Sequence, residues 1–239
     1  MTPTALKQLT QPPAEFDSYA EAYAELLRDP VRERFAPGGR FFLERKLLLL
    51  KRFLQEAGVA MRRTRWLDVG CGRGDLLSAG RSEFGYAAGC DLSAGMIAAA
   101  CGLDVRLQSA PDRLPFGDGS FDLLTAVCIY HHADPDVRSR LTAEAARVLR
   151  PGGIFCVIEH NPFNPVTQLI VRRSPVDANA RLLSVRELRR LARSAGMRVL
   201  RTQYFLLFPE LLYRRLAWLE GGLSALPLGG QYAVFCSRP

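Results

Sequence analysis

Seven short segments rich in β-branched, aromatic and aliphatic residues alternate with helical segments after residue 64. In chain order they read TRWLDV, YAAGCD, DVRLQ, FDLLTAVCIY, IFCVIE, MRVLRTQYFLLF and QYAVFC. Repeated strand, helix and strand units form right-handed crossovers, so the alternation predicts a parallel sheet with helices on both faces. Five such units and a closing pair of strands predict a doubly wound α/β fold.

Two helices are predicted before the first strand, one beginning at Asp17 or Ser18 and one from about Arg40 to Ala57. The length suits one α/β domain, because two independent domains of this chain would each have a small core. We expect the following parts: a loose tail over 1–15, a helical cap over 16–58, a cofactor-binding core over 64–160, and substrate-side helices, an insertion and closing strands over 161–239.

The second half of the chain has a clear helix start and an unusual insertion. Ser184 and Glu187 form a capping box before a predicted helix, and Gly196 follows as its stop. Between the sixth and seventh strands, residues 209–230 contain a helix whose apolar residues are too widely spread for one buried stripe. This insertion could line a substrate pocket, form a dimer contact or touch a membrane. We favour a pocket lid, formed together with the N-terminal helices.

Composition and charge limit the functional classes. The 239 residues are 48% hydrophobic and 23% charged, which is typical of a globular protein, and no apolar run reaches the ~20 residues of a membrane span. The N-terminus lacks the features of a secretion signal, so we expect a cytoplasmic protein. The six cysteines lack CxxC pairs and neighbouring histidines, which favours buried thiols over a zinc site. The net charge of +8 is scattered over arginines and favours solvated helix faces over a nucleic-acid surface.

The stretch WLDVGCGRGD places Gly70, Gly72 and Gly74 directly after the first predicted strand. Ligands of open parallel sheets bind at the carboxyl ends of the strands, and glycine there lets a ligand approach the bare backbone. A dinucleotide site has the spacing GxGxxG, whereas Leu77 occupies the position of the third glycine here. Asp91 ends the second strand, nineteen residues after Gly72, where a carboxylate can accept hydrogen bonds from both hydroxyls of a ribose. The pattern therefore predicts a nucleoside ligand.

The segments LDVGCGRGDLL, GCDLSAGMI, LPFGDGSFDLL and VLRPGGIF, in this order and spacing, resemble the class I S-adenosylmethionine-dependent methyltransferases. The resemblance is greatest to the small-molecule branch, which includes the ubiquinone and menaquinone methyltransferases and natural-product enzymes. It covers residues 66–159 closely. It implies a Rossmann-like sheet of seven strands in the order 3-2-1-4-5-7-6, with the last strand antiparallel. It also implies S-adenosyl-L-methionine as cofactor and S-adenosyl-L-homocysteine as product.

The same resemblance implies where the cofactor is held. The positions are Asp68, Gly70, Cys71, Gly72, Asp91, Leu92, Met96, Ser109, Ala110 and Val127. In this pattern Asp68 and the glycine backbone hold the methionine part, Asp91 holds the ribose, and Leu92 and Met96 flank the adenine. Ser109 stands where family members commonly have an aspartate that accepts a hydrogen bond from the adenine amino group. A hydroxyl accepts that bond without a charge, so we expect weaker cofactor binding.

Methyl transfer from a sulfonium needs no metal, and much of its acceleration comes from holding the nucleophile in line with the methyl group. An oxygen or nitrogen acceptor also benefits from a base, and imidazole titrates in the right range. The catalytic candidates follow the fourth and fifth strands: His131, His132, Glu159 and His160. Each histidine could instead bond the loop backbone, and the glutamate could orient a histidine or bind a substrate hydroxyl. Asn161, Asn164 and Asp177 could bind sugar hydroxyls or serve as turn residues.

The sequence as a whole predicts a methyltransferase that acts at oxygen on a small-molecule or lipid-linked acceptor, with a glycan as one option. We expect a monomer or homodimer, with contact to a membrane surface left open and no nucleic-acid partner. One alternative is an RNA methyltransferase, suggested by the isoelectric point of about 9.5. The other is a noncatalytic nucleoside-binding protein of the same fold.

Overall fold

A computed structural model describes residues 15–239, and most of the predicted loose tail lies outside this range. The strands are β1 Arg65–Val69, β2 Tyr86–Asp91, β3 Val105–Leu107, β4 Phe121–Val127, β5 Leu149–His160, β6 Arg198–Phe205 and β7 Gln231–Ser237. The α-helices of this range are α1 Tyr23–Leu26, α2 Pro30–Phe35, α3 Arg40–Glu56, α4 Asp75–Gly80, α5 Ala94–Ala99, α6 Pro135–Val148, α7 Pro165–Arg173, α8 Val185–Ser194 and α9 Glu210–Leu223. Each predicted strand is present.

The strands form one sheet in the order β3-β2-β1-β4-β5-β7-β6. The first five pair in parallel, and β7 is antiparallel to both β5 and β6. This confirms the predicted doubly wound α/β topology. The order reverses between β1 and β4, so a crevice opens at the carboxyl ends of these two strands.

Helices cover both faces of the sheet. On one face α6 and α8 pack through residues such as Leu141 and Leu188. On the other face α3 and α4 pack on the strands, and the rings of Phe53 and Phe235 stack with centroids 3.8 Å apart. Strand β1 is buried from its second residue to its last, as a central parallel strand covered on both faces should be.

The N-terminal segment differs from its predicted form. A 3-10 turn at Glu15–Tyr19 and the four-residue helix α1 replace the single helix expected from Asp17 or Ser18. Asp17 does not cap its own helix, because its carboxylate accepts hydrogen bonds from Ser93 Oγ (2.6 Å) and Gly95 N (3.0 Å) at the start of α5. Helix α2, capped by the side chain of Asp29, was not predicted.

The other helix signals are present as predicted. Helix α3 ends one residue before Ala57, and Gly58 follows with φ +70°. The capping box of Ser184 and Glu187 begins α8, and Gly196 follows it with φ +77°. The insertion contains α9. Within residues 15–239, no helix combines the length and the apolar character needed to cross a membrane.

Candidate active site

The glycine bend after β1 is a tight turn with an open outer side. Gly70, Gly72 and Gly74 have φ values of +67°, +53° and +75°, which side chains disfavour. A Cβ on Gly70 would lie 2.5 Å from Cγ2 of Ile129, so the bend packs against the loop that follows β4. A Cβ on Gly72 would meet no atom within 4 Å. The bend therefore presents bare backbone to the crevice.

Asp91 ties the end of β2 to this bend. Its Oδ2 accepts a hydrogen bond from Gly72 N at 2.8 Å, and its Oδ1 accepts one from Ser93 N at 2.9 Å. Burial raises the pKa of this carboxyl group, while the backbone donors oppose the rise. A carboxylate has about four acceptor positions, so about two stay available for ribose hydroxyls. The residues present therefore fit an adenosyl group beside Gly72.

Asp68 lies deeper, in the middle of the sheet. The hydroxyl of Thr125 on β4 donates to Asp68 Oδ1 at 2.6 Å and accepts from Trp66 Nε1 at 2.8 Å. Burial raises the pKa of Asp68 to about 7. The sequence did not predict a role for Thr125. The signal that could have indicated one is a hydroxyl residue on a strand next to that of a buried aspartate.

The remaining cofactor positions lie around the same crevice. Leu92 is 38% exposed after β2, whereas Met96 on α5 is buried. The chain after β3 approaches Asp91, because Gln108 N donates to Asp91 O at 2.8 Å. Ser109 follows and is exposed, Ala110 and Val127 are half-buried, and Cys71 is buried. Asp112, in the loop between β3 and β4, is paired with Arg140.

The predicted catalytic residues lie together at the carboxyl ends of β4 and β5. Nδ1 of His131 is 2.5 Å from Glu159 Oε2, and its Nε2 is 3.2 Å from Asp177 Oδ1. Nε2 of His132 is 3.5 Å from the same Asp177 oxygen. The ring centroids of His131 and His160 are 5.1 Å apart. Both ring nitrogens of His131 are thus engaged by carboxylates.

These contacts set the protonation of the histidine and carboxylate cluster, which consists of His131, His132, Glu159, His160 and Asp177. Burial by itself lowers the pKa of His131, but the Glu159 and Asp177 carboxylates raise the pKa to about 10. Burial and the charge of His131 lower the pKa of His160 to about 4. Although burial acts in the opposite direction, the adjacent histidines hold the pKa of Glu159 and that of Asp177 below their usual values. At neutral pH the cluster therefore contains a charged His131 and a neutral His160.

His131, His132, His160 and Asp177 line a cavity of about 430 Å³. Its walls include Tyr23, Lys46, Ile170, Leu206 and Gln231. Two non-glycine residues of the described range have positive φ, Cys128 (56°) and Leu206 (61°), and both line this cavity. Such strained backbone is concentrated at functional sites, which marks this cavity as the candidate acceptor site.

Two of the predicted sugar-binding residues have a different role. The side chain of Asn161 donates to the carbonyl oxygens of Pro227 and Gly229, and that of Asn164 donates to Leu228 O. Both side chains therefore hold the turn before β7, and Asp177 and Asn164 line the cavity, whereas Asn161 does not. Spacing alone did not separate these roles.

The N-terminal segment closes one side of the site. Phe16 packs edge-on against His132, with ring centroids 5.0 Å apart, and Tyr23 lines the cavity. The contact of Asp17 with α5 holds this segment next to the Asp91 end of the crevice. The sequence had no signal for this contact of Asp17, because its partners lie more than seventy residues away.

Part of the chain resembles known methyltransferases in sequence. Residues 67–157 match a family model described as a methyltransferase domain. The ubiquinone biosynthesis O-methyltransferase of Thiobacillus denitrificans is 30% identical over 148 residues, which are 55% of this chain and 63% of that protein. The chain spans between 28% and 63% of the length of the curated relatives it matches.

Solved structures share the fold at low identity. A methyltransferase from Thermotoga maritima, described as a possible histamine N-methyltransferase, has a TM-score of 0.65 at 20% identity over 94% of this chain and 98% of that one. The geranyl diphosphate C-methyltransferase of Streptomyces coelicolor, solved with Mg²⁺, geranyl diphosphate and S-adenosyl-L-homocysteine, has a TM-score of 0.60 at 19% identity, covering 90% and 88%. At these identities the likeness shows a shared fold.

Proposed function

We propose, from the premise that this chain contains a class I S-adenosylmethionine-dependent methyltransferase domain, that it methylates an oxygen atom of a small or lipid-linked acceptor. The observation that carries the proposal is the acceptor cavity. Its lining includes three histidines and one carboxylate of the histidine and carboxylate cluster, and the loop from Cys128 to Ile129 joins it to the glycine bend.

S-adenosyl-L-methionine supplies a methyl group activated on a sulfonium. In this chain Asp91 would hold its ribose, and Asp68 with the bare backbone near Gly72 would hold its methionine part. Leu92 offers apolar surface for the adenine, and Ser109 offers a hydroxyl. Ile129 packs on the bend and so positions the cavity residues that follow β4.

His132 is the residue that we assign as the base. It lies in the cavity, and Nε2 is close enough to Asp177 to be oriented by that carboxylate. His131, with Glu159 and Asp177 on its two nitrogens, is a positioning residue rather than a proton acceptor. A base held this way takes the proton of an acceptor hydroxyl as the new bond to oxygen forms.

The walls of the cavity support an acceptor with both polar and apolar parts. Lys46 and Asp177 are polar, whereas Ile170, Leu206 and Leu207 are apolar. Further apolar side chains are exposed on α7, α9 and their loops: Phe163, Val166, Leu169, Leu211, Trp218, Leu226 and Leu228. A surface of this kind suits a lipid-linked acceptor delivered from a membrane surface.

Pairing of the arginines supports a small acceptor over RNA. Arg140, Arg147, Arg150 and Arg201 each pair with a carboxylate. Paired cations offer less attraction for phosphates than a free basic stripe.

The test is formation of S-adenosyl-L-homocysteine by the purified full chain with a panel of phenolic, sugar and polyprenyl-linked acceptors. We expect one acceptor class to give turnover, and His132→Gln to lower kcat about 10²- to 10⁴-fold. The affinity for S-adenosyl-L-methionine, measured by calorimetry, should stay unchanged in this variant. Full turnover by His132→Gln would show that the base is another group, and no product with any acceptor would contradict methyl transfer.

A further inference from the structure

Three potential metal ligands meet at the cavity from three separate parts of the chain. His131 follows β4, His160 ends β5, and Asp177 lies in the 3-10 turn after α7. One ligand atom of each residue lies within 4.8 Å of the ligand atoms of both others. Nε2 of His131 and Oδ1 of Asp177 are 3.2 Å apart.

We propose that Nε2 of His131, a ring nitrogen of His160 and the carboxylate of Asp177 form a binding site for one divalent transition-metal ion, with Zn²⁺ as the best-suited ion. Imidazole and carboxylate bind zinc at about 2.0–2.2 Å. Tetrahedral ligands at that distance are separated by about 3.3 Å, so the separation between His131 and Asp177 fits a shared ion.

Glu159 is the second observation that points to a metal. Its carboxylate is fully buried, lies 2.5 Å from Nδ1 of His131, and is held in place by the Tyr130 N–H at 2.7 Å. It therefore keeps a proton of His131 on Nδ1 and turns Nε2 toward Asp177, where a metal ion would take the place of the second ring proton. Metal-binding histidines almost always donate their second ring nitrogen to such a carboxylate or to a carbonyl.

The site is open on the cavity side. Three protein ligands with a free fourth position are typical of catalytic zinc, whereas structural zinc has four protein ligands. The six cysteines of the chain take no part in the cluster. His132, whose Nε2 is 3.5 Å from Asp177 Oδ1, lies beside the site. The free position faces the space that the acceptor would occupy.

The role of the ion rests on the proposed function, whereas its binding does not. An ion at this place would hold an oxygen atom of the acceptor next to His132. The spacing of the ligands along the chain has no motif, so the sequence indicated no metal here. Only the packing of α7 and its following turn against the ends of β4 and β5 brings Asp177 to the two histidines.

The experiment uses the full chain after treatment with a chelator and dialysis. Titration with ZnCl₂ in a calorimeter should show one ion per chain, and Co²⁺ should give the visible absorption of a tetrahedral site with nitrogen and oxygen ligands. His160→Ala and Asp177→Asn should each abolish this binding. Glu159→Gln should weaken it about 10- to 100-fold, the range for lost partners of metal ligands. Asp118→Asn, at an exposed carboxylate, should bind like the wild type.

Each outcome decides the proposal. Absence of stoichiometric binding, equal binding by His160→Ala, or a thiolate band in the Co²⁺ spectrum would overturn it. Circular dichroism and calorimetric binding of S-adenosyl-L-methionine check that the variants are folded. Zinc binding without turnover on any acceptor would contradict the proposed function alone. Turnover by a chain that binds no metal would contradict the metal site alone.

Discussion

At the scale of single residues, the site depends on carboxylates whose partners differ. Asp91 accepts two backbone hydrogen bonds at the crevice, Asp68 accepts a hydroxyl inside the sheet, and Glu159 accepts an imidazole. The same side-chain type thus has a proposed ligand-binding role in Asp91, a place in the core in Asp68 and a proposed positioning role in Glu159. The distinction comes from burial and from the donor that each carboxylate meets.

Replacing Asp91 by Ala tests the ribose assignment. Because a hydrogen bond to a charged group is worth about 1.5–3 kcal/mol, we expect binding of S-adenosyl-L-methionine to weaken by that amount in calorimetry. Asp112→Ala is the matched control, since its half-buried carboxylate is paired with Arg140. Equal affinities of the two variants would contradict the assignment.

Asp68 gives the ligand-free protein a specific pH dependence. Its pKa is raised from 3.8 to about 7 in the folded chain. The folded state therefore binds the proton more tightly than the unfolded state, and this contribution is complete below about pH 4 and lost as the pH rises through about 7. We expect Asp68→Asn to lack this component of the fall in free energy of unfolding between these pH values. The measurement is urea unfolding at several pH values, with the exposed Asp136→Asn as control. Identical pH profiles of wild type and Asp68→Asn would refute it.

At the scale of elements, α9 is attached by polar contacts that are mostly buried. Arg45 of α3 is hydrogen-bonded to both Tyr213 and Glu220 of α9, and its guanidinium lies 3.9 Å from the centre of the Tyr213 ring. The side chains of Arg45 and Glu220 are 7% and 6% exposed. The opposite side of α9 exposes Leu211 and Trp218. The apolar residues of the insertion spread beyond one buried stripe, as predicted, because some of them are exposed while polar residues occupy part of the buried side of α9.

Glu220→Ala should destabilise the protein by about 3–5 kcal/mol, because it leaves a buried Arg45 without its charge partner. The matched control is Glu56→Ala, which breaks the solvent-exposed pair with Arg201 and should cost about 0–1 kcal/mol. Urea unfolding of both variants gives the comparison. The double variant Arg45→Met/Glu220→Leu should recover most of the loss. A small effect of Glu220→Ala would mean that water reaches Arg45.

The elements also show where sequence patterns are reliable. The capping box of α8 and the positive-φ glycines after α3 and α8 are local signals, and the structure has each of them. The prediction of the first helix was wrong because an aspartate can either cap a helix or accept hydrogen bonds from a distant part of the chain, and Asp17 does the second. Its contact with α5 is not visible in the residues around it.

At the scale of the whole molecule, the sheet order follows from the alternation of strands and helices and from the family resemblance. The glycine bend and Asp91 meet because parallel neighbouring strands bring their carboxyl ends to one edge. The cavity is different, since its walls come from α1, α2, α7, the end of β5 and the loop after β6. No single pattern in the sequence describes a space enclosed by so many parts.

The sequence by itself therefore determined the seven strands and the placing of the glycine bend and Asp91 at strand ends, because strand periodicity, glycine spacing and a strand-terminal acid are all short-range properties. The strand order came from the family resemblance. Only the tertiary structure decided which histidine has both nitrogens occupied, that Asp177 joins the cluster, and that Asn161 and Asn164 hold a turn. These outcomes depend on distances between side chains far apart in the chain, and such distances are settled by packing.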